Sequence, residues 1–153
     1  MSQVFRMKLP MGLWLAVGAV GALGCAGSQA TLPGVPVHPL MTETLRLHGT
    51  ASAMMASPSC DAAALARPTN VLELPDDTRV TILLAQSPGE PALPLTMLHL
   101  THLETKRTWC VVTHPDGTPA AIGGEFPSGQ YAVSVAEART AAPRKYEVRV
   151  QRL

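Results

Sequence analysis

The chain has 153 residues, enough for one domain with a modest core, and its 12 Lys+Arg nearly balance 11 Asp+Glu. That balance provides no basic patch, so nucleic acid is excluded as an expected partner. Aromatic residues make up only 4% and there are 14 prolines, a composition suited to a loop-rich β domain rather than a helical bundle.

The N-terminus is basic and then apolar. Arg6 and Lys8 form a positive region, and the stretch from Met11 to Gly24 carries no charge. It ends Gly21-Ala22-Leu23-Gly24-Cys25-Ala26-Gly27-Ser28. Small residues before a Cys at the end of an apolar run resemble the lipobox of bacterial lipoprotein signal peptides. The resemblance implies that residues 1–24 are removed, that Cys25 becomes the first mature residue and carries lipid, and that a membrane of the bacterial cell envelope is the partner. The usual order, Leu three before the Cys and a small residue two before it, is swapped to Ala22 and Leu23. Ser28-Gln29-Ala30 offers a competing small-x-small cleavage site, which would release a soluble exported protein. An uncleaved membrane helix is the third alternative, and its apolar run is shorter than the 18 residues such a span needs.

Cysteine parity agrees with export. Of Cys25, Cys60 and Cys110, the first is acylated or discarded on either cleavage route, which leaves an even pair. In an oxidising compartment Cys60 and Cys110 are expected to form a disulfide, with Cα atoms about 4.4–6.8 Å apart. Without Arg6 and Lys8, ten basic residues stand against eleven acidic ones.

Residues 25–43 contain Pro33, Pro36 and Pro39, which oppose a helix or a central strand, and read as an extended tether. The domain is expected over residues 44–153. Thr44–His48 alternates as a first strand, and Ala51–Ala66 reads mostly as loop with a short helix near Asp61–Leu65. Strand signals then recur at Asn70–Leu74, Arg79–Leu84, Leu95–Leu103 and Thr108–Thr113. Between them stand turn or breaker signals at Pro75-Asp76-Asp77, Ser87–Pro91 and His114–Gly117. Gln130–Val135 and Lys145–Val150 alternate strictly, and they are expected to be neighbouring antiparallel strands joined by Ala136–Arg144. Tyr131, Val133 and Val135 should share one core with Tyr146, Val148 and Val150, leaving Ser134, Glu147, Arg149 and Gln151 toward water or an edge. Many short strands separated by turns predict an all-β, antiparallel, jelly-roll-like sandwich.

From Thr44 onward, Trp109-Cys110, a Gly-Gly segment, Ser128-Gly129-Gln130-Tyr131-Ala132-Val133-Ser134-Val135 and the closing Tyr146-x-Val148-x-Val150 resemble the bacterial pre-peptidase C-terminal-type β-sandwich. The resemblance implies a β-sandwich module of an exported protein, often with a Cys pair placed like Cys60 and Cys110. Relatives carry acidic residues after the second Cys, in a segment suited to calcium. This chain has Val111-Val112-Thr113-His114 there and only Asp116 beyond, which reads as turn chemistry.

No Gly-x-Ser-x-Gly, His-Glu-x-x-His or Cys-x-x-Cys pattern occurs, so neither an enzyme nor a cofactor is expected. Asp76 and Asp77 are adjacent carboxylates whose side chains diverge in a turn. His99 and His102 should face opposite sides of a strand and share no ion. Met41, Met54, Met55 and Met97 could supply soft sulfur to Cu(I), although methionine more commonly fills cores and loops. Trp109 is expected to pack on the disulfide, with ligand stacking as its alternative role. The sequence reading is an exported, lipid-anchored binding or scaffolding module of the cell envelope, whose partners include envelope proteins. The alternative is a periplasmic small-ligand or metal-binding protein.

Overall fold

Tyr131, Val133 and Val135 project from one strand, and Tyr146, Val148 and Val150 from another, into a single core where none exceeds 1% exposure. The computed structural model that shows this describes residues 32–54, 58–86, 95–113, 118–138 and 144–153. Cys25 with the expected signal peptide, Met55, the Ser87–Pro91 break, the His114–Gly117 turn with Asp116, and most of the Ala136–Arg144 connection lie outside the described residues.

The strands are β1 (Val37–Pro39), β2 (Thr44–Thr50), β3 (Ser52–Met54), β4 (Asn70–Leu74), β5 (Thr78–Gln86), β6 (Thr96–His102), β7 (Thr108–Val112), β8 (Ala121–Phe126), β9 (Gly129–Ala138) and β10 (Lys145–Arg152). A short 3-10 helix spans Cys60–Leu65. One sheet runs β1-β4-β9-β6-β7, with β3 added on β9, and the other runs β2-β10-β5-β8. Setting aside β1 and β3, consecutive strands alternate between the sheets except at the β6–β7 hairpin. That is the double Greek-key order of a jelly roll, so the expected all-β sandwich is the fold.

The expected β9–β10 hairpin is not formed. β9 pairs with β4 and β6, whereas β10 pairs with β2 and β5 in the facing sheet. Alternation with a period of two specifies which face of a strand is buried, and two strands can bury their apolar faces against each other across a core as well as side by side. Ser134 is also buried rather than solvated, at 3% exposure. The outer face of its sheet is covered by the 3-10 helix, which brings Ala63 and Ala66 onto Met97 and Ala136. Leu32 and Val35 pack beside Val71, Leu103 and Ala132 on the same face.

The Cys60–Cys110 disulfide fastens this cover to β7, with Cα atoms 5.7 Å apart. The sandwich also begins earlier than residue 44. Val37–Pro39 pairs in parallel with β4, and Leu40 is fully buried. Pro36 and Pro39 are compatible with this because β1 lies at the edge, where a missing N–H costs no ladder bond. Within Ala51–Ala66, read mostly as loop, β3 adds three residues in parallel to β9.

Glu147 corrects a second orientation. It lies on the outer face of the β2–β8 sheet, as alternation requires, yet it is 2% exposed. Arg149 donates a hydrogen bond to it, Arg46 approaches to 3.8 Å, and the His48 ring to 3.9 Å. These long side chains, rather than the protein interior, enclose the carboxylate. The Arg149 hydrogen bond is the main reason that its pKa lies below the ordinary 4.5.

Two outcomes follow. Removing the disulfide in a Cys60→Ser/Cys110→Ser protein should lower unfolding stability by about 4 kcal/mol, the chain-entropy value for a loop of this length, as measured by denaturant titration. Arg149→Glu, which an exposed strand position alone would tolerate, should cost about 1–2 kcal/mol, because it removes a charge-assisted bond and sets a second carboxylate beside Glu147. The loss should be full above pH 4.5. It should fade as pH falls through the lower folded-state pKa of Glu147, since a depressed acid stabilises the fold only while ionised.

Candidate functional site

Three connections meet at one end of the sandwich: residues 75–77 between β4 and β5, 103–107 between β6 and β7, and 127–128 between β8 and β9. They are tied to one another. Ser128 N–H donates to Asp77 Oδ1 at 2.7 Å, and Tyr131 Oη donates to Pro127 O at 2.6 Å. His102 links two of the turns, because its Nδ1 accepts from Thr105 N–H at 3.2 Å and its Nε2 lies 3.2 Å from Ser128 O. That pattern assigns the ring hydrogen to Nε2. Gly129, at φ +135°, is required where this ring passes, since a Cβ there would lie 2.5 Å from His102 Nε2.

Below the turns, Trp109 packs on Phe126 and Tyr131 at centroid distances of 5.0 and 5.7 Å, and His102 meets Tyr131 edge-on at 4.8 Å. The Arg107 guanidinium stands over Trp109, 4.9 Å from the ring centroid. A cleft of about 370 Å³ opens between Asp77, Arg79, Arg107, Glu125, Phe126 and Pro127. A smaller cavity of about 190 Å³, with Glu73, Glu104 and Gln130 in its lining, adjoins it across the 127–128 turn. Burial chiefly, and the nearby Asp77 carboxylate, push the Tyr131 phenol up to about 12, against the opposing pull of Arg107.

The expected disulfide pair is joined, and Asp76 and Asp77 diverge as adjacent turn residues should. Asp76 pairs with Arg152 at 3.1 Å, while Asp77 holds the Ser128 N–H. His99 and His102 occupy opposite faces of β6. His99 stands opposite Ser134 on the outer face, where burial lowers its pKa, and His102 lies on the core side against Tyr131. Among the described residues no group of three His, Cys, Asp or Glu side chains could hold a metal ion. Met41 is exposed and Met97 is fully buried in the outer-face cluster.

Trp109 does not pack on the disulfide. It neighbours Cys110 on a strand, so the two side chains point to opposite faces: Trp109 into the core and Cys110 under the 3-10 helix. Phe126, Arg107 and Glu125 had no individual signal in the sequence. Phe126 ends the Ala121-Ile-Gly-Gly-Glu-Phe126 strand, whose paired glycines conceal its alternation.

No family model matches the chain, and no curated protein does.

The chain has two tyrosines, and both phenols are raised above their ordinary pKa, Tyr146 through burial against its bonds to Thr69 and Asn70. Ultraviolet titration should therefore show less phenolate at pH 10 in the folded protein than in the unfolded chain, with Tyr131 still protonated. Stability contributed by the raised groups should be complete below pH 10 and lost as pH rises toward the folded-state value of about 12 for Tyr131. Ordinary ionisation of both rings at pH 10 without unfolding would contradict the packing described here.

Proposed function

We propose that this chain is an exported, lipid-anchored module of the bacterial cell envelope that binds or scaffolds rather than catalyses. The observation that carries the reading is the Cys60–Cys110 bond, since such a bridge persists where thiols are oxidised. The basic-then-apolar N-terminus ending at Cys25 supports the same address and supplies the anchor. Kinship with pre-peptidase C-terminal-type sandwiches is part of the proposal. It is supported by the central placement of Tyr131, Val133, Val135, Tyr146, Val148 and Val150, the residues on which the likeness rests.

A second reading, a soluble periplasmic ligand-binding protein released after Ser28-Gln29-Ala30, is favoured by the charged cleft beside Arg107. In both readings the rigid sandwich serves as a platform for its turns.

Cys25→Ser should abolish lipid attachment and move the protein out of the membrane fraction, because anchoring requires the acyl chains. Intact-mass analysis of wild type should show a diacyl or triacyl addition on a chain beginning at Cys25. A wild-type chain beginning at Thr31 without lipid would establish the soluble alternative.

A further inference from the structure

Building on the binding reading, we propose that the cleft at the turn end takes a short zwitterionic peptide. Arg107 and Arg79 would meet its carboxylate, and Asp77 and Glu125 its ammonium group. All four side chains line one opening of about 370 Å³, within the range that ligand pockets span, over an apolar base at Phe126 and Pro127.

Two of the four are fixed before any ligand arrives. Arg107 is stacked on Trp109, and Asp77 is pinned by the Ser128 N–H. The other two face each other in register, Arg79 opposite Glu125 on β5 and β8. The ion pairs of the described residues lie elsewhere, at Glu147, Glu137 and Asp76, so the charges around this opening are not consumed by one another. An opening with two positive and two negative groups offers little net attraction to a simple anion or cation. It complements a molecule carrying both signs, and a guanidinium fixed by stacking presents its donors to a carboxylate with little ordering left to do.

A sugar is the poorer match. The aromatic faces it would stack on are spent, since Phe126 is 2% exposed and Arg107 covers Trp109.

The test is calorimetric titration of the purified full-length protein, in nonionic detergent, with alanyl-alanine, its N-acetyl form, its C-terminal amide and sodium acetate. Saturable binding of the free dipeptide is expected, with each blocked form weaker by about tenfold, the size of one charge-assisted hydrogen bond. Arg107→Gln should weaken the free dipeptide by a similar factor and shrink the penalty for the amide, since only Arg79 is left to meet the carboxylate. Asp77→Asn, which keeps the oxygen that accepts from Ser128, should shrink the penalty for acetylation, since only Glu125 is left to meet the ammonium group. No saturable binding in the millimolar range, equal affinity for free and blocked dipeptides, or acetate binding as well as the dipeptide would each overturn the proposal. The titration is blind to address. Protein that binds the dipeptide but carries no lipid at Cys25 defeats the anchoring reading alone, and lipidated protein that ignores all four probes defeats this one alone.

Discussion

Burial of two alternating strands against each other, β9 from one sheet and β10 from the other, is the constraint from which the rest of the molecule follows. Each is central in its sheet, with β4, β6 and β3 assembled on β9 and β2 and β5 on β10. Because both present a Tyr-x-Val-x-Val face inward, the sheets must close on one apolar layer, and every other strand inherits its facing from theirs by register. Leu98 and Leu100 enter the core because they stand opposite Val135 and Val133. His99 is turned out because it stands opposite Ser134.

The two outer faces meet water differently, and the difference has a chemical cause. The face behind β9 carries small and apolar residues, Met97, Ala132, Ser134 and Ala136, and needs a lid. The 3-10 helix and the Leu32–Val35 segment supply it, with the disulfide holding a helix too short to have much stability of its own. The face behind β10 carries Arg46, His48 and Arg149 around Glu147, and solvates itself. Covalent stapling is thus found on the side that carries the cover.

Legibility divides along the same physical line. Facing was readable: the Tyr131 and Tyr146 triplets, the opposed His99 and His102, and the bonded cysteines all follow from period two or from parity. Partnership was not, since alternation is silent on whether Val133 and Val148 meet as neighbours in a sheet or across a core. β8 was hidden because Gly123 and Gly124 remove the side chains that would display its period, and β1 because Pro39 within it and Pro36 just before it are tolerated only at an edge that sequence does not reveal. The Trp109 correction is of another kind. Adjacency to Cys110 in sequence is itself the reason for their separation in space, so the strand period already contained the answer. The cleft could not be read, because Asp77, Arg107 and Glu125 come from separate turns or strand ends and have no common spacing.

The positioning of those charges depends on the core beneath them. Arg107 stacks on Trp109, which packs on Phe126 and Tyr131, and the Tyr131 hydroxyl holds the Pro127 carbonyl at the opening. His102 then binds the neighbouring turn to Ser128, whose amide holds Asp77. The cleft is therefore built from the rim of the central aromatic cluster, not from free loops laid over it. Three short connections anchored in this way would lose little conformational freedom to a ligand of the proposed kind, and that is the condition under which a few exposed charges can yield measurable affinity. The same coupling means that substitutions beneath the cleft, at Gly129 or His102, would act on the proposed binding through geometry, whereas those at Arg107 and Asp77 would act through charge.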